Sequence, residues 1–137
     1  MRAFDRMQPI ALLVLRIALG AIMIHHGYPK VAGGLPQHTA MVAKFGMPAW
    51  MGYLSTAAEF FGGILLMLGF LTRFASLAIC AEMAVIIAKV QWKNGLRGFE
   101  LELALAGIAF ALIFFGAGPI SLDRLLFGRK TGPKLRR

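Results

Sequence analysis

The chain has 137 residues, of which 58% are hydrophobic and only 15% are charged, whereas soluble domains carry about 25% charged residues. A globule of this size cannot hide so much apolar side chain from water, so the composition excludes an ordinary soluble domain and favours a protein embedded in lipid. The net charge of +9 is not accompanied by a basic groove with interleaved aromatic residues, which argues against nucleic acid as a partner.

Four apolar segments are long enough to cross a bilayer, whose hydrocarbon core takes about 20 helical residues. Lipid offers no hydrogen-bond partners to the backbone, so these segments are predicted to be helices. In chain order the predicted spans cover residues 9–28, 50–71, 74–92 and 99–118. The sequence therefore predicts an all-α fold, a four-helix integral membrane bundle that forms a single domain over residues 1–137.

The two non-membrane parts of the chain differ in character. Residues 29–49 form a long Pro- and Gly-containing connection, predicted to be an outer loop in which a short amphipathic helix, around residues 37–45, lies on the membrane surface. Residues 124–137 form a basic tail. Lys and Arg are more numerous at the end that holds both termini, so both termini are predicted to be cytoplasmic.

Small residues recur at intervals of three and four on three of the spans, and residues so spaced share a helix face. Such faces let membrane helices pack closely, so the charged residues on them are predicted to point inward. The faces comprise Arg16, Gly20 and Gly27 in the first span, Ser55, Glu59 and Gly62 in the second, and Glu100, Ala104 and Gly107 in the fourth.

Several charged or titratable residues lie within or at the ends of the spans, where a charge costs about 3 kcal/mol or more and is usually paired or functional. At about 1.5 Å per helical residue, Glu59 and Glu82 fall near the midplane, and Arg16 lies nearer the cytoplasmic side. A second group is predicted to gather at the outer edge and form a polar pocket with Glu59 at its floor. This group comprises His25, His26, Lys30, Lys89, Glu100 and Glu102.

Structural roles for the same residues remain open. Arg16 is equally well interpreted as the partner of Glu59 or Glu82 in a buried ion pair that fixes helix register. Lys30 and Lys89 also fit interfacial anchors whose charged ends reach water, and His38 is predicted to be a solvated loop residue.

Metal and haem sites are not predicted. Neighbouring histidines such as His25 and His26 point about 100° apart on a helix, so they cannot hold one haem iron from both faces. His38 is the third histidine of the sequence, which leaves too few ligands for a typical zinc site. Cys80 is the single cysteine, which excludes an internal disulfide.

A series of short motifs resembles the DoxX family of small bacterial membrane proteins. The motifs are Arg16 with Gly20, H-G-x-x-K at residues 26–30, G-x-P at 46–48, E-x-x-G-G-x-x-L-x-x-G at 59–69, Thr72 with Arg73, G-F-E at 98–100, and G-x-G-x-x-S-x-D at 116–123. The resemblance covers residues 8–128 and implies a four-helix, multi-pass protein of the bacterial plasma membrane. Some members of the family serve as the membrane subunit of a thiosulfate:quinone oxidoreductase, which implies quinone as a cofactor.

Three functions follow as hypotheses from the residues and the resemblance. The first is a quinone-linked redox subunit, in which His26, Glu59 and Glu100 act as catalytic proton carriers or donors. In that case the quinone head is held by cofactor-binding residues, namely His25, His26, Lys30, Lys89 and Arg16. The second is a non-catalytic subunit or scaffold of a larger membrane redox complex, and the third is a small-solute carrier that uses the buried acids. Four short helices bury little surface, so a homo-oligomer or a larger assembly is expected.

Overall fold

The structure, a computed structural model, describes residues 6–128 and confirms the predicted all-helical membrane fold. In chain order the α-helices are α1 (Gln8–Pro29), α2 (Leu35–Lys44), α3 (Trp50–Leu68), α4 (Thr72–Ile86), α5 (Leu96–Phe115) and α6 (Leu122–Phe127). Residues 6–128 contain no strand. Four stretches are long and apolar enough to cross a membrane, and they contain α1, α3, α4 and α5.

The four long helices pack in the order α1, α3, α4, α5, with a smaller contact between α1 and α5. Their shared core consists of aliphatic side chains that are almost fully buried, namely Leu19, Met23, Leu66, Ile79 and Leu112. Many other large apolar side chains are exposed on the outside of the bundle, the arrangement expected of helices surrounded by lipid.

The prediction of close packing through small residues holds for α1 and α3. A Cβ atom added at Gly20 would lie 2.7 Å from the Gly63 carbonyl oxygen, and one added at Gly27 would lie 2.7 Å from the Phe60 backbone nitrogen. The prediction is wrong for α5, because Glu100, Ala104 and Gly107 are all exposed there.

Specific residues set the helix ends. Gly69, with a φ of +70°, ends α3 three residues before the predicted boundary at residue 71, because a left-handed residue stops the helix. Asp123, the second residue of α6, accepts hydrogen bonds from the backbone N–H groups of Leu71 (2.7 Å) and Thr72 (3.1 Å). It thereby caps the first turn of α4.

Arg16 is almost completely buried, as predicted, but its partners differ from the prediction. Its guanidinium donates to the carbonyl oxygens of Leu66 (3.0 Å), Ala117 (2.6 Å) and Ile120 (2.7 Å), with a longer contact to Met67 (3.4 Å). The expected ion pair with Glu59 or Glu82 is therefore wrong. The free carbonyls at the end of α3 and in the loop after α5 satisfy the guanidinium instead.

Residues 29–49 do not form a simple surface loop. Pro29 has no N–H group and is followed by a wide, π-helical turn over Lys30–Gly34, in which Gly33 has a φ of +129°. Beyond this kink α2 continues along α3 and packs against it, with Thr39 beside Gly52. The predicted short helix is therefore present as α2, and it packs against α3.

The predicted tail begins as the short helix α6, whose N-cap Ser121 accepts a hydrogen bond from the Arg124 backbone N–H group. The rest of the tail, residues 129–137, lies outside the described residues. The cytoplasmic location of the termini stays a prediction.

Candidate functional site

A cavity of about 540 Å³ lies between α2, α3 and α4. Alanine, methionine, leucine, isoleucine, valine and phenylalanine side chains make up most of its wall, and a few polar side chains converge on it. The polar lining residues are Lys30, His38, Ser55, Glu59, Glu82 and Gln91. A largely apolar pocket with a few placed polar groups is the usual form of a small-molecule site.

The helices place these polar groups for identifiable reasons. Ser55 and Glu59 are four residues apart on α3 and share one face, while Glu82 projects from α4 toward the same space. Lys30 and Gln91 both lie in wide π-helical turns that follow the regular parts of α1 and α4. Such turns alter the direction of the side chains they carry and are frequent at functional sites.

Lys30 and Glu59 form the one ion pair found among residues 6–128. The Glu59 side chain is only 6% exposed, whereas that of Lys30 is 20% exposed and reaches the cavity from its edge. Removing one member of a buried pair leaves an uncompensated charge and is strongly destabilising. The pair therefore ties the end of α1 to the middle of α3.

A second polar chain connects α2, α3 and α4. The Ser55 hydroxyl donates to Glu82 Oε1 at 2.5 Å, and His38 Nε2 lies 3.2 Å from the same hydroxyl oxygen. A hydroxyl has one hydrogen, which is already given to Glu82. His38 therefore carries its hydrogen on Nε2 and donates it to Ser55.

Two buried atoms of the hydrogen-bonded set His38–Ser55–Glu82 lack a partner within the described part of the protein, namely His38 Nδ1 and Glu82 Oε2. Buried polar atoms are normally hydrogen-bonded, and each exception calls for an explanation such as a catalytic role or an unseen ligand. Because Nε2 carries the hydrogen, Nδ1 of neutral His38 is an acceptor. Both atoms are acceptors on residues that line the cavity, so a bound molecule with hydroxyl groups is able to satisfy them.

The site differs from the predicted pocket in most of its members. Of the predicted site residues, the structure brings together Lys30 and Glu59 alone. His25, His26, Lys89 and Glu100 are exposed and do not line this cavity, and Arg16 binds backbone carbonyls elsewhere. The predicted convergence of His26, Glu100 and Glu59 is therefore wrong, because α5 turns Glu100 outward.

The sequence did not predict that His38 and Ser55 belong to the site. His38 is not solvated but only 9% exposed, and its partner Ser55 was noted only as a member of a packing face. The amphipathic pattern of α2, in which His38 and Val42 share one face, is the signal that indicates burial. Glu82 was predicted to be near the midplane, and the rule that intramembrane acids mark functional sites applies to it as well as to Glu59.

The fold and the cavity together define a small multi-pass α-helical membrane protein with buried charged groups around an internal cavity. The chain belongs to the DoxX family, whose family model matches residues 11–92. The resemblance seen in the sequence is thereby confirmed, and the four apolar helices fit a multi-pass protein of a bacterial plasma membrane.

Curated relatives cover nearly the whole chain. It is 31% identical to "Putative oxidoreductase CatD" of Bacillus subtilis, over 90% of this chain and 92% of the relative. It is 31% identical to "Inner membrane protein YqjF" of Escherichia coli, over 88% of this chain and 95% of the relative. It is 32% identical to "Inner membrane protein YphA" of the same organism, over 88% and 94%. No solved structure gives a significant match.

Proposed function

We propose that the cavity binds the head of a quinone and that the protein is the membrane subunit of a quinone-linked oxidoreductase. The observation that carries this proposal is the His38–Ser55–Glu82 chain, which has an unpartnered buried nitrogen at one end and an unpartnered buried oxygen at the other. The oxidoreductase name of the Bacillus subtilis relative supports the same class of reaction.

The shape and polarity of the cavity suit such a molecule. Its volume of about 540 Å³ lies within the range of about 300–1,000 Å³ typical of small-molecule sites. The apolar wall provides a surface for a ring and the start of an isoprenoid tail, while the polar groups meet the ring oxygens. Lys30 keeps two N–H groups beyond the one it gives to Glu59, and these are available to a ring carbonyl.

The tautomer of His38 suits the two redox forms of a quinone. As a neutral ring it presents Nδ1 as an acceptor, which fits the hydroxyl of a quinol. When Nδ1 takes up a proton, the same atom becomes a donor, which fits the carbonyl of a quinone. One side chain thus matches both the oxidised and the reduced form.

The three side chains form a relay for protons. A proton received at His38 Nδ1 allows Nε2 to release its own proton to the Ser55 oxygen, and Ser55 then passes its hydrogen to Glu82. In the opposite direction the relay delivers a proton from Glu82 to the bound quinone. Each passage carries one proton, so two passages, with Glu82 reprotonated between them, supply the two protons of a quinol. Imidazole suits this role because it has two ring nitrogens, so it takes up a proton at one and releases a proton from the other.

The electrons come from outside the chain. A bound quinone takes up two electrons and two protons to become a quinol. The single cysteine, Cys80, cannot supply them as an internal dithiol. We propose a reduced sulfur anion of the thiosulfate type as donor, two of which release two electrons when they join through a sulfur–sulfur bond, with a partner subunit carrying the electrons.

The test begins with binding, which requires no electron donor. Delipidated protein in nanodiscs is titrated with a short-tailed quinone in its reduced, quinol form, followed by calorimetry without oxygen, for the wild type and for His38→Ala and Glu82→Gln. The matched controls are His26→Ala and Glu100→Gln, which change the same residue types outside the cavity. We expect the first two variants to bind about tenfold more weakly, as for the loss of one hydrogen bond to a charged or buried group, and the controls to bind as the wild type.

The Ser55→Ala variant separates the relay from binding. It removes the middle of the chain, so we expect nearly normal quinone affinity but slower thiosulfate-dependent quinone reduction in membranes that contain the partner subunit. Absence of quinone binding in the wild type, or an equal loss in the His26→Ala control, would contradict the proposal. Solute uptake by quinone-free proteoliposomes would point to a carrier instead.

A further inference from the structure

A second groove, of about 420 Å³, lies at the opposite end of the bundle from the α2 cover, where the turn between α3 and α4 meets α6. Two guanidinium groups, those of Arg73 and Arg124, line it together with Phe74, Phe115 and Phe127. It shares no lining residue with the cavity described above.

The charge of the groove is positive despite one acid in its wall. Both carboxylate oxygens of Asp123 are already engaged by the N–H groups of Leu71 and Thr72. Arg73 donates one of its five N–H groups to the Phe114 carbonyl oxygen at 3.2 Å, which leaves others available. Within residues 6–128, no group accepts a hydrogen bond from the Arg124 guanidinium. Two arginines and one aspartate leave a net charge of +1 in the wall.

The groove also presents apolar surface beside the charges. Phe74, Phe115 and Phe127 are 72%, 71% and 66% exposed, which places three aromatic rings around the two arginines. The groove lies where the membrane-crossing helices end, the depth at which aromatic and basic side chains meet lipid headgroups. A small soluble anion makes no apolar contact with the aromatic rings, whereas a phospholipid has a phosphate for the arginines and acyl chains for the rings.

We propose that this groove binds the headgroup of an anionic phospholipid. Arg73 and Arg124 bind the phosphodiester oxygens, for which the planar guanidinium is well suited, and the acyl chains run along Phe74 and Phe115. A zwitterionic headgroup brings its own cation, which the net positive charge of the groove repels. The groove therefore selects anionic over zwitterionic lipid.

The test is native mass spectrometry of the delipidated protein with equimolar phosphatidylglycerol and phosphatidylcholine of identical acyl chains. Each cation near an anionic lipid contributes a factor of roughly five, so we expect the wild type to prefer phosphatidylglycerol by about 25-fold. The Arg73→Gln/Arg124→Gln double variant should lose nearly all of this preference. The matched control, Lys93→Gln/Arg97→Gln, removes two charges at the other end of the bundle and should keep it.

Arg73 also supports the end of α5 through the Phe114 carbonyl, so the double variant is accompanied by Arg124→Gln alone, which breaks no hydrogen bond within residues 6–128. This single variant should lower the preference about fivefold. An unchanged preference in Arg124→Gln, or an equal loss in the control, would overturn the proposal. Displacement of the lipid by millimolar inorganic phosphate would also overturn it, since that result indicates a site for free anions.

Discussion

The contact of α1 with α3 at Gly27 offers a direct test of how closely the site depends on helix packing. A Cβ atom added at Gly27 would lie 2.7 Å from the Phe60 nitrogen and 2.9 Å from the Phe60 Cα atom. Both are backbone atoms, so no side-chain rotation relieves the overlap. An ordinary van der Waals contact begins at 3.4 Å, which exceeds the 2.7 Å distance to the Phe60 nitrogen by about 0.7 Å. Gly27→Ala must therefore separate the two helices locally by about that distance.

The energetic result follows from two opposing terms. Overpacking of a tight contact costs about 1–3 kcal/mol, whereas replacing a helical glycine by alanine gains about 0.5–1 kcal/mol. We therefore expect a net loss of about 1–2 kcal/mol in the free energy of unfolding. Lys30 lies one turn beyond Gly27, and its partner Glu59 adjoins Phe60, so the displacement should also lengthen the ion pair.

The assay is unfolding by sodium dodecyl sulfate in mixed micelles, followed by far-ultraviolet circular dichroism. Gly107→Ala is the matched control, because no heavy atom lies within 4 Å of the added Cβ atom, and we expect it to be as stable as the wild type or slightly more so. If Gly27→Ala proves as stable as Gly107→Ala, the close approach of α1 and α3 described here is incorrect.

Three further predictions concern other parts of the molecule. Arg16→Lys should lower the free energy of unfolding by about 2–4 kcal/mol in the same assay, because an ammonium cannot reach all the carbonyl groups that the guanidinium serves and buried acceptors are left unpaired; an unchanged value would contradict this role. Glu59→Gln should lower the free energy of unfolding by about 1–3 kcal/mol, less than for a fully buried pair because Lys30 is partly exposed. Adding Lys30→Met should recover part of that loss in a double-mutant cycle. Strict additivity of the two changes would argue against the ion pair. Gly52→Ala places a Cβ atom 2.8 Å from Thr39 Cγ2 and should loosen α2, so amide hydrogen exchange over residues 35–44 should become faster, whereas an unchanged rate would show that α2 is not held by this contact.

The spans were predictable because lipid leaves the backbone few choices. An apolar run of about 20 residues must be helical there, so the four long helices follow from hydropathy alone. Their ends were less predictable, because local groups decide them. Gly69 ends α3 early, and Pro29 with Gly33 converts an expected loop into a wide turn followed by α2.

The candidate site was only partly predictable, for a geometric reason. Position along a helix follows from residue number, which is why Glu59 lies midway along α3 and Glu82 midway along the membrane-crossing stretch Thr72–Asn94, as the sequence indicated. The direction of a side chain depends also on the rotation of its helix about its own axis, and packing sets this rotation. Glu100 therefore faces outward although its spacing indicated an inward face, and the packing of α2 against α3 buries His38 beside Ser55.

The capping of α4 by Asp123 has a consequence for the order in which the protein matures. The N–H groups of Leu71 and Thr72 receive their acceptor from a residue that leaves the ribosome about fifty positions later, and Arg16 meets the Ala117 carbonyl 101 positions after its own synthesis. The first three membrane-crossing helices are thus delivered to the insertion machinery before these bonds are available. A nascent chain halted ahead of Ala117 should therefore remain a group of inserted helices without fixed packing. The packed bundle should form only after Ala117 and Asp123 have been synthesised.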